Sequence, residues 1–197
     1  FYGFYGYDSG NVTIYNNTMF NNYHGIYFVE SDEGNISLND LSITDIYSLF
    51  LHSGSDSSTI QDNIFVTGKY GIYLKSNSSS NTFINNSISH HITSGIYVKD
   101  SDSSTFQLNT IANNSRNLVL SSAPSSTLSH NWMSNASSGV EINNSDSVTL
   151  TNNTINATTT PVFRAENATS ITLYNNTLYN SAYINGSDSA HLEGNNM

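Results

Sequence analysis

The sequence predicts an all-β fold, a right-handed parallel β-helix of about 8–9 coils with 22–24 residues in each coil. Two motifs, each repeated with the same period along the chain, are the basis of this prediction. The residue types within each repeat then indicate short strands joined by sharp bends. Residues 1–197 are expected to form a single repeat array that starts and ends in the middle of a coil.

The first motif is a short apolar strand followed by two polar residues, usually an Asn pair. It is clearest in Leu150-Thr151-Asn152-Asn153-Thr154-Ile155 and in Leu173-Tyr174-Asn175-Asn176-Thr177-Leu178. The first apolar residues of its copies are assigned as Ile14, Leu38, Ile60, Phe83, Phe106, Leu128, Leu150, Leu173 and Leu192.

The second motif follows the first by about a dozen residues. Its copies include Gly25-Ile26-Tyr27-Phe28, Gly71-Ile72-Tyr73-Leu74 and Gly95-Ile96-Tyr97-Val98. Apolar residues alternate within it, which is the period of a strand, and Asn, Ser, Asp and Gly between the motifs favour turns over helix. A leucine-rich repeat, which has a similar period, is therefore disfavoured, and three strands per turn of a solenoid fit better.

An in-register stack also predicts a column of asparagines along the solenoid. Asn tolerates the left-handed backbone conformation of a sharp bend, and stacked amides can bond to one another along the axis. The expected column is Asn17, Asn63, Asn86, Asn109, Asn131, Asn153 and Asn176. The exterior of the solenoid as a whole is expected to be rich in Asn.

Composition excludes several functions. Asn, Ser and Thr number 30, 34 and 19 of 197 residues, whereas only 10% are charged, with 15 acidic against 5 basic. Nucleic acid and anionic membranes are unlikely partners because both attract basic surfaces. The sequence contains no Cys, so thiol catalysis and disulfides are excluded, and no apolar run reaches the ~20 residues of a membrane span.

The two motifs resemble the short repeats of the pectate-lyase-like β-helix superfamily. The Asn-rich copies are most similar to those of the periplasmic copper-processing family and of archaeal surface-layer and sheath proteins. The resemblance covers essentially the whole chain and implies the fold. It implies several functions, because such repeats occur in lyases, hydrolases, epimerases, adhesins and envelope proteins alike.

No catalytic residues are predicted. The chain lacks the Asp-Asp, Gly-His-Gly and Arg-x-Lys motifs of the superfamily's polysaccharide enzymes, and Asp56, Asp102 and Asp146 are separated by two coils each. No cofactor is predicted either, although Ca²⁺ bridging Asp32 with Glu33, or Asp100 with Asp102, remains an alternative. A copper or zinc site is disfavoured because the six His are scattered.

The second motif places one aromatic residue in the middle of five consecutive strands, on the outward side. These residues are Tyr5, Tyr27, Phe50, Tyr73 and Tyr97. An exposed aromatic stripe is typical of a sugar-binding platform or a protein contact surface, although simple stacking between strands would place the same residues there. Lys75 and Lys99 lie next to the stripe and could bind an acidic partner.

The chain begins within the second strand of a coil and closes within the first strand of another. Two interpretations are possible: a longer surface protein has been truncated, or subunits polymerise end to end. Polymerisation is favoured, with copies of the same chain as partners and contacts through Phe4, Tyr7, Leu192 and Met197.

Thirteen Asn-x-Ser/Thr sites occur in the chain. Those expected to carry glycan in a secreted protein are the loop sites Asn77, Asn143, Asn167 and Asn185.

These observations favour an extracellular, non-catalytic structural protein of a cell envelope, a self-assembling surface layer, sheath or fibre that is glycosylated, secreted and archaeal. The alternative is a polysaccharide-binding adhesin, or a polysaccharide lyase or hydrolase domain with a β-helix fold. Cell-surface polysaccharide is a possible partner in either case, and no segment is expected to insert into a membrane.

Overall fold

The computed structural model describes residues 1–197 and contains strands and turns throughout. The first half comprises β1 (Tyr2–Tyr7), β2 (Thr13–Tyr15), β3 (Thr18–Val29), β4 (Asn35–Ser37), β5 (Asp40–His52), β6 (Thr59–Gln61), β7 (Ile64–Lys75), β8 (Thr82–Ile84), β9 (Ser87–Lys99) and β10 (Thr105–Gln107). The second half comprises β11 (Thr110–Ala112), β12 (Arg116–Ser121), β13 (Thr127–Ser129), β14 (Trp132–Ala136), β15 (Ser138–Asn143), β16 (Thr149–Thr151), β17 (Thr154–Ala157), β18 (Phe163–Glu166), β19 (Thr172–Tyr174), β20 (Thr177–Leu178), β21 (Ala182–Asn185) and β22 (His191–Glu193).

The strands form two sheets in which every pairing is parallel, as predicted for a parallel β-helix. The 9-stranded sheet contains the short strands in the order β2-β4-β6-β8-β10-β13-β16-β19-β22. The 13-stranded sheet contains the long strands and bends within β3, β5, β7 and β9, so that each coil presents three sides. No helix that is long and apolar enough to span a bilayer is present.

The core fills the inside of the solenoid. Residues on alternate positions of each strand point inward and stack on the equivalent residue of the next coil. Phe83 and Phe106, for example, are fully buried and stack with ring centroids 4.9 Å apart. Buried apolar residues from all coils form one continuous cluster, and burial of each large side chain stabilises the fold by about 1.5–3 kcal/mol.

One repeat anchor differs from the prediction. Ile36, not Leu38, pairs with Ile14 and Ile60, and Leu38 is 48% exposed. Leu38 occupies the bend after β4 with a φ of 57°. The prediction is wrong because Leu is apolar and was assigned to the core, although this position sets the turn and points to solvent.

The predicted asparagine column is present, bonded amide to amide along the axis. Asn17 at its start is exposed, whereas its members from Asn39 to Asn176 are buried inside the corner. The column includes two members that the sequence analysis missed, Asn39 and Asn195. The two polar residues of each motif have different roles: the first adopts a positive φ and points outward, as at Asn85 (52°), and the second, such as Asn86, is 1% exposed. The amide of the second residue is buried because it satisfies backbone groups at the corner.

The chain register shifts by one residue before β18. Phe163 pairs with Val140 and is buried, whereas Arg164 pairs with Glu141 and is exposed. A strict 22-residue spacing from Ile142 would have placed Arg164 in the core. The extra residue places Ala165 there instead, which avoids the cost of an unpaired buried charge.

Candidate functional site

The candidate site is the outward side of the second-motif strands, where aromatic rings stack from coil to coil. We call it the aromatic face and define it by Tyr2, Tyr5, His24, Tyr27, Tyr47, Phe50, His52, Tyr70, Tyr73, Lys75, Tyr97 and Lys99. The strands β1, β3, β5, β7 and β9 supply these residues in register.

The predicted aromatic column is present. Ring centroids lie 5.8 Å apart between Tyr5 and Tyr27, and 4.7 Å between Tyr27 and Phe50. The next two steps, from Phe50 to Tyr73 and from Tyr73 to Tyr97, are both 5.1 Å. Phe50 differs from the expected exposed stripe, since it is only 5% exposed.

A second aromatic column, which the sequence analysis missed, explains the burial of Phe50. Tyr2, His24, Tyr47 and Tyr70 pair with one another in register. The ring of Tyr47 stacks on Phe50 at 4.6 Å, and the ring of His24 stacks on Tyr47 at 5.0 Å.

Strict strand alternation would put His24 and Tyr27, three residues apart, on opposite sides. The pairing of β3 with β5 shifts between Asn22 and His24, immediately before this segment. The ring of His24 nevertheless lies 5.1 Å from that of Tyr27 and packs against the outward column. The sequence does contain a signal for this second column. An aromatic ring stands three positions before four members of the first column, as Tyr47 does before Phe50 and Tyr70 before Tyr73.

Burial fixes the protonation state of these groups. It raises the pKa of the Tyr27, Tyr47, Tyr70 and Tyr73 hydroxyls, so all four are protonated at neutral pH and can donate hydrogen bonds. Partial burial lowers the pKa of His24 and of His52, and the nearby Lys75 ammonium lowers that of His52 further. Both imidazoles are therefore mostly neutral at pH 7.

His52 is positioned beside the two lysines. It pairs in register with Lys75, which in turn pairs with Lys99. Nδ1 of His52 lies 2.6 Å from Oγ of Ser53, and its ring packs on Phe50 at 5.2 Å. Stacked parallel strands are about 4.8 Å apart, so His52, Lys75 and Lys99 form a row of roughly 10 Å along the solenoid axis.

A polar cavity of about 470 Å³ lies among the loops that follow these strands. Asp56, Asp100 and Asp102 line it together with Ser and Asn side chains. The carboxylate of Asp56 accepts a hydrogen bond from the backbone N–H of Ser79 at 2.6 Å, and Asp32 does the same for Asp56 at 2.9 Å. These carboxylates therefore stabilise the stacked loops.

The expected separation of acids by two coils does not hold for Asp32 and Asp56, which lie on adjacent coils. No group of three or more His, Asp or Glu residues converges closely enough to hold a metal ion, and the calcium candidates Asp32, Glu33, Asp100 and Asp102 form no such group.

The remaining predicted residues lie in varied environments. Asn77, Asn167 and Asn185 are exposed, whereas Asn143 is partly buried. Phe4 packs against the core with its ring 5.8 Å from Phe28. Tyr7, Leu192 and Met197 are exposed by 57%, 43% and 60%.

The sequence matches the family model described as "right handed beta helix region" over residues 1–91 and 28–178. The chain therefore belongs to the right-handed β-helix family, as the repeats predicted. No curated protein matches the sequence at a significant level.

Solved structures with the same fold include three carbohydrate-active enzymes. The A-module of the mannuronan C-5 epimerase AlgE4 from Azotobacter vinelandii has a TM-score of 0.82 and 15% identity, over 95% of this chain and 60% of that one. A variant of the periplasmic alginate epimerase AlgG has a TM-score of 0.74 and 20% identity, over 100% of this chain and 47% of that one. DFA-IIIase from Arthrobacter chlorophenolicus A6 has a TM-score of 0.66 and 13% identity, over 78% of this chain and 41% of that one.

These comparisons overturn the interpretation as a non-catalytic, self-assembling structural protein, because the neighbouring structures are enzymes named for alginate, mannuronan and DFA-III. The alternative interpretation, a polysaccharide-binding or polysaccharide-processing domain, fits them better. The physical reason for the error is that a solenoid assembles a site from one or two residues per coil, about 23 positions apart, so the site leaves no contiguous motif. At 41–60% of the lengths of these proteins, the chain corresponds to part of each.

Proposed function

We propose that the chain is a polysaccharide-processing β-helix domain that binds a sugar chain along the aromatic face. The observation that carries this proposal is the double aromatic column with protonated Tyr hydroxyls beside it. Aromatic rings offer apolar platforms for the C–H faces of sugar rings, and phenol hydroxyls offer hydrogen bonds to sugar hydroxyls. A linear ligand fits because the face is repeated from one coil to the next.

His52 is the group on this face that best suits proton transfer. Its pKa is lowered by burial and by Lys75, so it is a neutral base at pH 7. Tyr73 lies on the next coil, where it pairs in register with Phe50, two residues before His52. Its hydroxyl is protonated at pH 7 and is the acid of this proposal. A neutral base, an acid and an ammonium group are the components needed to remove and replace a proton on a sugar ring.

The proposed location is outside the cytoplasm, in the periplasm or the extracellular space. Polymeric sugars are met there, and one structural neighbour is described as periplasmic. The absence of Cys is compatible with an oxidising compartment, because no free thiol would be exposed to it.

Binding is tested by affinity electrophoresis of the purified chain through gels that contain neutral or acidic polysaccharides. We expect retardation by at least one polysaccharide, lost in Tyr27→Ala and in Tyr73→Ala because each removes part of the platform. Tyr174→Ala is the matched control, since Tyr174 is 40% exposed on the 9-stranded sheet, away from the face. Circular dichroism confirms that each variant is folded.

Turnover of the retained polysaccharide is then followed by proton NMR, which detects both cleavage and a change of configuration. We expect turnover that His52→Gln reduces by at least about a hundredfold, the usual contribution of a general base. Binding without turnover would leave a binding module and remove the catalytic part of the proposal. Failure of every polysaccharide to retard the wild-type chain would contradict the proposal as a whole.

A further inference from the structure

The positive charges of this acidic chain are concentrated on and beside the aromatic face. The net charge is −10, with five Lys and Arg residues in total. The Nζ atom of Lys69 lies 5.9 Å from the ring centre of Tyr70, and Lys75 and Lys99 face each other on β7 and β9. Arg116 and Arg164 lie 5.9 Å from the ring of Tyr97 and 5.6 Å from that of Tyr183.

The arginines are neutralised by neighbouring carboxylates, whereas the lysines are not. Arg116 pairs with Glu141 at 3.6 Å, and Arg164 pairs with Glu166 at 2.5 Å. None of the three lysines has a carboxylate within 4.0 Å, since the ion pairs of the structure involve only the two arginines and His191. The free positive charge therefore lies over the coils that also carry the aromatic columns.

The aromatic face itself contributes no negative charge. None of its residues is an Asp or Glu, and burial keeps the buried tyrosines Tyr27, Tyr47, Tyr70 and Tyr73 and the two histidines neutral at pH 7. Glu141 and Glu166 appear on the same side only in the later coils, on β15 and β18. Asp56, Asp100 and Asp102 lie in the loops that follow these strands, and the Asp100 carboxylate acts on the Tyr73 hydroxyl. The groups on the face that attract an anionic ligand are therefore the two free cations Lys75 and Lys99.

We infer that this face selects an anionic polysaccharide, with Lys75 and Lys99 as the residues that determine the specificity. This inference rests on the proposed function and names the substrate class. The anionic groups of the polymer contact the two ammonium groups, and its sugar rings pack on Tyr73 and Tyr97. The polymer axis runs parallel to the solenoid axis.

The spacing supports a ligand that carries a charge on successive sugars. Lys75 and Lys99 are separated by one coil, about 4.8 Å along the axis, which is close to the length of one pyranose residue in an extended polymer. The aromatic residues repeat with the same rise. Each coil therefore offers one ring platform, and two neighbouring coils each offer one free cation.

The experiment measures the affinity of the wild type and of a Lys75→Gln/Lys99→Gln double variant for three polymers: a polyuronate, a sulfated galactan and a neutral β-glucan. We expect the double variant to bind the preferred charged polymer roughly tenfold more weakly, as the sum of two exposed ion pairs. Binding of the wild type to that polymer weakens as salt is raised. Comparison of the affinities for the polyuronate and for the sulfated galactan shows whether the face prefers carboxylate or sulfate groups.

Two controls accompany this measurement. Arg164→Gln changes a cation already paired with Glu166 and leaves the affinity unchanged. The conservative Lys75→Arg/Lys99→Arg variant retains binding, because the charge is kept.

The outcomes separate this inference from the proposed function. Tight, salt-independent binding of the neutral glucan, equal in wild type and the double glutamine variant, would overturn the inference and leave the proposed function standing. Absence of binding to all three polymers would remove both. Stronger retention of single-stranded DNA than of either acidic polysaccharide would also overturn the inference, since any polyanion would then suffice.

Discussion

The side chain of Asn109 supports the corner of the coil that precedes it. Its Oδ1 atom accepts hydrogen bonds from the backbone N–H of Asn86 at 2.9 Å and from Nδ2 of Asn86 at 3.0 Å. Its own Nδ2 donates to the carbonyl of Phe83 at 3.0 Å. One buried amide therefore satisfies three polar groups of its neighbour, and the same pattern recurs from Asn39 to Asn176.

Substitution Asn109→Ala is expected to lower the free energy of unfolding by about 3 kcal/mol. It leaves the backbone N–H of Asn86 without a partner. It also removes one hydrogen bond from the Asn86 amide, which keeps its bond to the carbonyl of Ile60, and one from the carbonyl of Phe83. An unsatisfied buried group costs about 1–3 kcal/mol, and each further lost hydrogen bond costs about 0.5–1.5 kcal/mol. Urea denaturation followed by circular dichroism measures the change. Asn156→Ala, at an exposed Asn in β17 with no ladder role, is the control and should change stability by less than about 0.5 kcal/mol.

The sequence predicted the fold because the packing of a solenoid is local and repeated. Inward positions such as Ile72 and Leu74 must be apolar in every coil, and the 23-residue period makes that requirement visible. The position of the asparagine column was harder to predict, since stacking alone is compatible with either side of the wall. The ladder lies inside because its amides satisfy backbone carbonyls at the corner, a requirement that the repeat pattern does not reveal.

Steric crowding explains why the second motif begins with Gly. A Cβ atom at Gly71 would lie 2.6 Å from the carbonyl oxygen of Gly95 and 2.7 Å from Cγ2 of Ile88, closer than real contacts allow. Gly71→Ala is therefore expected to destabilise the protein by about 1–3 kcal/mol, the usual cost of overpacking. Gly10 has no atom within 4 Å of its Cβ position, so Gly10→Ala is the matched control.

Thermal unfolding of Gly71→Ala and Gly10→Ala tests whether crowding of the Cβ atom, and not the loss of Gly itself, is what destabilises the protein. A clear drop in the melting temperature for Gly71→Ala, with Gly10→Ala close to wild type, is the expected result. Equal melting temperatures for all three proteins would show that the wall of the solenoid relaxes at this position. The steric explanation of the Gly at the start of this motif would then fail.

The candidate site was only partly predictable because part of it departs from strict strand alternation. Tyr27 and Tyr73 follow strict alternation with the inward residues on either side of them, so their position within the coil was visible in the sequence. His24 and Tyr47 lie three residues before Tyr27 and Phe50, a spacing that alternation assigns to the opposite side, yet their rings contact the rings of the first column. The pairing of Arg116 with Glu141, which leaves only the lysines free, joins two coils and has no local sequence signature.

His91 makes the stability of the protein depend on pH. Its ring is buried, with Nδ1 2.9 Å from Oδ1 of Asn114 and no partner for Nε2. Nδ1 therefore carries the proton and donates to Asn114, and Nε2 is an unprotonated nitrogen in a dry site. Burial lowers the pKa of His91 from 6.5 to about 4, partly opposed by the bond to Asn114 and reinforced by His90.

Since the folded-state pKa of His91 is below its unfolded value, its contribution to stability is complete above pH 6.5 and is lost as the pH falls towards 4. The unfolded chain gains a proton in this window while the folded chain resists it. The shift corresponds to a loss of about 3 kcal/mol between pH 6.5 and pH 4. Urea denaturation at intervals between pH 7.5 and pH 4 measures it.

The variant His91→Leu isolates this contribution. Oδ1 of Asn114 keeps the backbone N–H of His91 as a donor at 3.0 Å, so the substitution leaves that acceptor satisfied and removes the unpartnered nitrogen. Partly buried His24 and His52 titrate in the same direction in both proteins, so the difference between the two pH curves reports His91 alone. His90→Asn, at an exposed position with a φ of 64°, removes only the smallest of the three causes of the His91 shift and should reduce the wild-type slope slightly. Parallel pH curves for wild type and His91→Leu would contradict the burial of a neutral imidazole at this corner.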